Sequence, residues 1–149
     1  MRTKNIRLTF FVGLLAMIVA CGRDGQKNVT TDEIVALEKE VMQIHDEVMP
    51  KMSDIARLMD ILDKESANRN LDSLTQSEIS KAIAMLQSGD SLMWEWMHNY
   101  GVPENISPDS IHTYLQTEKI HMTRIRDIME AGIKNAEALA QKLGYGKPN

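Results

Sequence analysis

Three stretches of this chain carry apolar residues at alternating three- and four-residue steps, the spacing of a single stripe along an α-helix, and this repeat restricts the fold more than any other feature. The first runs Ile34, Leu37, Val41, Ile44, Val48, Lys51, Ile55, Leu58, Leu62, with eight of nine positions apolar. The second reads Ile79, Ala82, Leu86, Gly89, Met93, Trp96, Tyr100. The third reads Ile111, Leu115, Glu118, Met122, Ile125, Met129, Gly132, Ala136, Leu139, Leu143. A stripe of this kind must face another, and three of them satisfy one another in an all-α, up-down-up antiparallel three-helix bundle with long helices. The same stripes are also compatible with packing between chains in a longer self-associating coiled coil.

Local signals place the ends. Thr30 and Glu33 have capping-box spacing, in which each side chain satisfies the other's backbone amide, so helix one starts there. Pro50 falls on the face opposite the stripe. It removes one hydrogen bond and crowds the Asp46 carbonyl, at a cost of about 3 kcal/mol in isolation. Because the apolar register is the same before and after it, the spacing predicts one helix, kinked at Pro50, over 31 to about 65. Asn68-Arg69-Asn70 marks a turn, and Thr75 with Glu78 repeats the capping-box spacing at the start of helix two. Ser88-Gly89-Asp90-Ser91 weakens that helix locally without shifting its register. Gly101 is placed as a left-handed stop, with Pro103 beyond it. Ser107-Pro108-Asp109 supplies an N-cap, a proline at the first helical position and an acid in the first turn of helix three, which Gly144 closes. The helical domain is thus expected over 31–143, followed by a polar tail, 144–149.

The N-terminus is of a different kind. Arg2, Lys4 and Arg7 precede an apolar run from Leu8 to Ala20, whose thirteen residues rise about 20 Å as a helix, short of the roughly 30 Å hydrocarbon core. Residues 1–20 therefore read as a cleaved signal peptide and not as a span. Ile18-Val19-Ala20-Cys21 resembles the bacterial lipobox. The resemblance implies diacylglycerol attached to Cys21 through a thioether, cleavage before it, and acylation of the new amino group. Several acyl chains, at about 0.8 kcal/mol per buried methylene, give a stable anchor. Residues 21–30, which include Gly22 to Asn28 with two glycines and no apolar side chain, form a flexible tether.

Composition narrows the function classes. Cys21 is the single cysteine, so lipidation leaves no thiol for disulfides, zinc or nucleophilic catalysis. Removal of residues 1–20 takes three of the 17 bases and none of the 21 acids, leaving a formal charge of −7 on the mature chain. That charge disfavours nucleic acid and electrostatic docking on anionic lipid. Membrane contact then falls to the lipid anchor.

Several polar side chains are candidates for chemistry. Lys51 and Glu118 interrupt their stripes, and counting from the helix starts puts them about one turn apart in height. They either form a desolvated pair that fixes register or each bends outward to water. His45 and Met49, one turn apart on one face, together with His121 and Met122, offer imidazole and thioether ligands suited to copper. Against this, adjacent residues point about 100° apart, and methionine at stripe spacing is more often core filling. Trp96 and Tyr100 lie in the stripe, whereas Trp94 does not and is a candidate partner-binding residue. The acids Asp46, Glu47, Asp54, Asp60 and Asp63 form a solvated face. The sequence holds no Ser-His-Asp constellation and no glycine-rich phosphate loop, and the expectation is a non-enzymatic protein.

At His45-Asp46-Glu47-Val48-Met49-Pro50-Lys51-Met52 and at Met93-Trp94-Glu95-Trp96-Met97-His98-Asn99-Tyr100, the chain resembles small helical lipoproteins of Bacteroidota that often carry the label "viral A-type inclusion protein". The resemblance covers roughly residues 32–140. It implies a cell-envelope location and assigns no activity to any residue. Together these readings point to a lipid-anchored envelope module that binds another envelope protein, on the periplasmic side of the outer membrane because Gly22-Arg23-Asp24 carries no strong acidic export signal. A periplasmic copper-binding protein is the alternative.

Overall fold

The computed structural model describes residues 29–68 and 70–146. The signal peptide, Cys21, the tether through Asn28 and the tail from Lys147 lie outside the described residues. Within them the fold is all-α, a helical bundle built from α1 (Thr31–Val48), α2 (Met52–Ser66), α3 (Ser73–Asn99) and α4 (Pro108–Lys142).

Helix α1 opens on the expected capping box. The Glu33 amide donates to the Thr30 hydroxyl at 3.2 Å, and the Thr30 amide donates to the Glu33 carboxylate at 2.8 Å. Between α1 and α2 the chain makes a single turn of 3₁₀ helix, Met49–Lys51, and no loop. Pro50 has no amide to offer the Asp46 carbonyl, and the chain tightens there: the Met52 amide donates to Met49 and Pro50 carbonyls, and the Ser53 hydroxyl to the Pro50 carbonyl at 2.8 Å. The apolar stripe crosses this turn in register, since Val48 on one side and Ile55 on the other are both fully buried.

The expectation of a capping box at Thr75 and Glu78 is corrected. Asp72 is the N-cap of α3, its carboxylate accepting from the Leu74 and Thr75 amides at 2.9 Å each, while the Thr75 hydroxyl donates to Asp72 at 2.8 Å. An aspartate three residues upstream supplies a charged acceptor beside the positive end of the helix, which a neutral threonine cannot match. These bonds hold the Asp72 carboxyl below its ordinary range. Glu78 instead accepts from Lys142 at 2.6 Å.

Helix α3 runs through Ser88-Gly89-Asp90-Ser91 without a break, and Gly89 has a packing reason for being there. A Cβ at Gly89 would lie 3.0 Å from Met129 Cγ and 3.2 Å from Met129 Cα. One at Gly132 would lie 3.3 Å from the Met85 carbonyl oxygen. Glycine on each helix lets the α3 and α4 backbones come this close. Gly101 is not a left-handed stop: Tyr100 leaves α3 in extended conformation, and among the described residues only Gly144 and Asn105 have positive φ. The Gly101 amide is taken up by the Tyr114 hydroxyl at 3.2 Å, so α3 needs no glycine turn to end. Gly144, at φ 95°, does close α4, with the Tyr145 amide donating back to the Ala140 carbonyl at 2.9 Å.

Helix α1 packs on α4, and α2 packs on both α3 and α4. The core is the set of stripe residues read from sequence, among them Val41, Val48, Ile55, Leu58, Leu62, Ile79, Leu86, Met93, Leu115, Met122 and Met129. Burying each large aliphatic side chain stabilises the fold by roughly 1.5–3 kcal/mol. Around this core, Lys119 pairs with Glu40 at 2.6 Å, Lys51 with Glu130, and the Tyr145 hydroxyl donates to Glu65 at 2.8 Å. The Lys51–Glu118 pair is therefore corrected: Lys51 meets a glutamate twelve residues further along α4, about 18 Å of helix.

Candidate functional site

The last two turns of α3 and the stretch of α4 from Tyr114 to Ile128 enclose a groove, and its floor follows from sequence spacing. Trp96 and Tyr100 are four residues apart, so their rings fall on one face and stack with centroids 4.5 Å apart at 26°. Tyr114 of α4 continues the stack at 6.4 Å, and His45 of α1 packs against the Trp96 indole at 5.5 Å.

A buried indole needs an acceptor for its N–H, and Glu118 provides it: Trp96 Nε1 donates to Glu118 Oε2 at 2.8 Å. The Glu118 side chain is only 13% exposed, and its other oxygen has no donor closer than His121 Nδ1, 3.6 Å away. The Tyr100 hydroxyl is buried without a hydrogen-bond partner. Desolvation pushes this phenol up to about 12, with the charges of Glu38, Tyr114 and Glu118 acting in the same direction.

The groove has a volume of about 460 Å³, within the usual range for small-molecule sites. Leu92, Ile125 and Ile128 form its apolar wall, and Glu95, Asn99, His121 and Arg124 form its rim. A second, shallower depression lies along the outer face of α3 at Trp94, Glu95, Met97, His98 and Asn99. Trp94 is 58% exposed there.

The copper candidates do not form one donor set. The His45 side chain is largely buried, lies on Trp96 and contacts Asp46 through Nδ1 at 2.9 Å. Met49 sits in the 3₁₀ turn packed against the core. Met122 is fully buried whereas the adjacent His121 side chain is 56% exposed, so the two point apart as consecutive helical residues must. Among the described residues no group of three or more His, Cys, Asp or Glu is arranged to hold a metal ion.

Sequence reasoning missed Tyr114, Arg124 and the acceptor role of Glu118. The signal for Glu118 was present: an acid interrupts the α4 stripe, and a stripe tryptophan on α3 requires an acceptor. Only the partner assignment failed. Comparisons with known protein families, with curated proteins and with solved structures find no match.

Proposed function

We propose that the chain is a lipid-anchored helical module of the bacterial cell envelope, held by acylated Cys21 and acting by binding another envelope protein without catalysis. The observation that carries the anchor is Ile18-Val19-Ala20-Cys21 at the end of an apolar run too short to span a bilayer. The anchor supplies the only prosthetic group of the reading, diacylglycerol and an N-acyl chain on Cys21. Gly22-Arg23-Asp24, without a strong acidic export signal, supports a location facing the periplasm at the outer membrane.

The bundle runs up, down and up. Glu40–Lys119, Lys51–Glu130 and Glu65–Tyr145 are separated by 79, 79 and 80 residues, and a constant separation supports α1 and α2 running parallel to α4. Contacts between α3 and α4 reverse this order: Glu78 with Lys142, Gly89 with Met129, Trp96 with Glu118. The 3₁₀ turn at Met49–Lys51, with a buried residue in register on each side, supports α1 and α2 acting as one stroke kinked at Pro50. Such an assembly is a rigid support for an exposed binding residue, and Trp94 is the best candidate. A large aromatic held on a rigid helix gives contact area at small entropic cost, which is why tryptophan dominates binding hot spots.

The experiment is a paired pull-down from native membranes with the chain and its Trp94→Ala variant. An envelope protein retained by the first and lost by the second is expected. Equal recovery by both would remove Trp94 from the reading, and recovery of none by either would overturn protein binding itself.

A further inference from the structure

We infer that the groove between α3 and α4 is a binding site for a hydrophobic amine, with Glu118 as the counter-ion of its ammonium group. The inference does not depend on the lipid anchor or on Trp94. It starts from the placement of one carboxylate. Glu118 is drawn into the bundle by the Trp96 indole N–H and is largely shielded from water, yet Oε1 has no donor within hydrogen-bond distance, His121 Nδ1 being 3.6 Å away. The oxygen that the indole leaves free is open to the groove that Glu118 lines, so a cation or hydrogen-bond donor entering the groove can reach it. No lysine or arginine of the described residues pairs with Glu118, although six others form ion pairs elsewhere: Lys51, Arg57, Lys64, Lys119, Arg126 and Lys142.

The surroundings of that oxygen define the ligand class. Tyr114 lines the same groove and is only partly buried, and ammonium groups are attracted to such rings by about 0.5–2 kcal/mol. Leu92, Ile125 and Ile128 supply an aliphatic wall for the body of the ligand, within a volume of about 460 Å³. Glu95, exposed on the rim and outside any ion pair, adds negative potential at the entrance. Arg124, also exposed on the rim, is the opposing charge. It lies in water, where its field is screened, whereas Glu118 acts from a shielded floor. An apolar body ending in a single ammonium therefore fits better than the matching carboxylate.

The test uses the purified full chain carrying Trp94→Phe, which leaves Trp96 as its sole tryptophan, and three probes of similar shape: phenethylammonium, 2-phenylethanol and 3-phenylpropionate. Trp96 emission should shift saturably with phenethylammonium, at least tenfold more tightly than with the alcohol and more tightly still than with the carboxylate. Glu118→Gln keeps an acceptor for the Trp96 N–H and removes the charge, so it should abolish the preference for the amine while circular dichroism and the unfolding midpoint stay close to those of the parent. Equal binding of amine and alcohol to the parent would overturn the inference, as would tighter binding of the carboxylate, which would make Arg124 the anchor. The absence of saturable binding by phenethylammonium up to its solubility would overturn it as well.

Discussion

Replacing Gly89 by alanine tests the close approach of α3 and α4, because two effects of known size oppose each other there. Alanine is favoured over glycine in a helix interior by about 1 kcal/mol, and at an open position that gain would appear as added stability. At Gly89 the new methyl group would sit 3.0 Å from Met129 Cγ and 3.2 Å from Met129 Cα. The methionine side chain can swing, but the Cα is backbone and moves only if α4 moves. Overpacking of this kind costs roughly 1–3 kcal/mol, so the gain is cancelled or reversed, with a net loss of up to about 2 kcal/mol. Urea denaturation followed at 222 nm should show no rise in the midpoint and a fall of up to about 1 M, for a slope of about 2 kcal/mol per M. Ser88→Ala, one residue away on the exposed side, is the control and should be neutral or slightly stabilising. If Gly89→Ala raised the midpoint as much as alanine does at an exposed site, the backbone contact would not exist as described.

Further outcomes follow from single residues. Tyr100 should resist ionisation up to about pH 12 in an absorbance titration at 295 nm. Because the folded chain keeps the Tyr100 proton to about pH 12 while the unfolded chain gives it up near pH 10, stability should fall with rising pH across that window, and Tyr100→Phe should flatten the fall. The same substitution removes an unpartnered buried hydroxyl and should raise stability at pH 7 by up to about 1 kcal/mol in urea denaturation. Pro50→Ala restores an amide for the Asp46 carbonyl and should raise the thermal midpoint, and a lowered midpoint would mean that the 3₁₀ turn at Met49–Lys51 is needed for packing α2. Copper titration of the purified chain by calorimetry should show no one-to-one binding tighter than micromolar, since Met122 faces the core and His121 faces out.

Much of the fold was legible in sequence because helices bury one stripe, and a stripe leaves a periodic trace. Val41, Leu58, Leu86 and Met129 could be assigned to the core from spacing alone. The capping box at Thr30 was equally legible, as its two halves lie within one turn of chain. What failed depended on relations between helices or on competition between nearby signals. Asp72 displaced Thr75 as N-cap because both are good caps and only the start of α3 decides between them. Gly101 looked like a stop, but the hydroxyl of Tyr114, from the next helix, took up its amide. The partner of Lys51 required knowing how α1 and α4 are set against each other, which no local pattern records. Glu118 was visible as an anomaly in its stripe, yet its role came from Trp96, 22 residues away in sequence and 2.8 Å away in space.

The lipid anchor on Cys21 is the claim on which the envelope reading depends, and mass spectrometry of the membrane-extracted protein tests it most directly. The account predicts that the mature chain begins at Cys21, that its N-terminal peptide carries the mass of a diacylglyceryl group and an amide-linked acyl chain, and that Cys21→Ser abolishes this modification and leaves the chain unprocessed or free of the membrane. A mature chain beginning elsewhere, an N-terminal peptide with an unmodified Cys21, or a Cys21→Ser chain that still carries lipid and fractionates with membranes would contradict it.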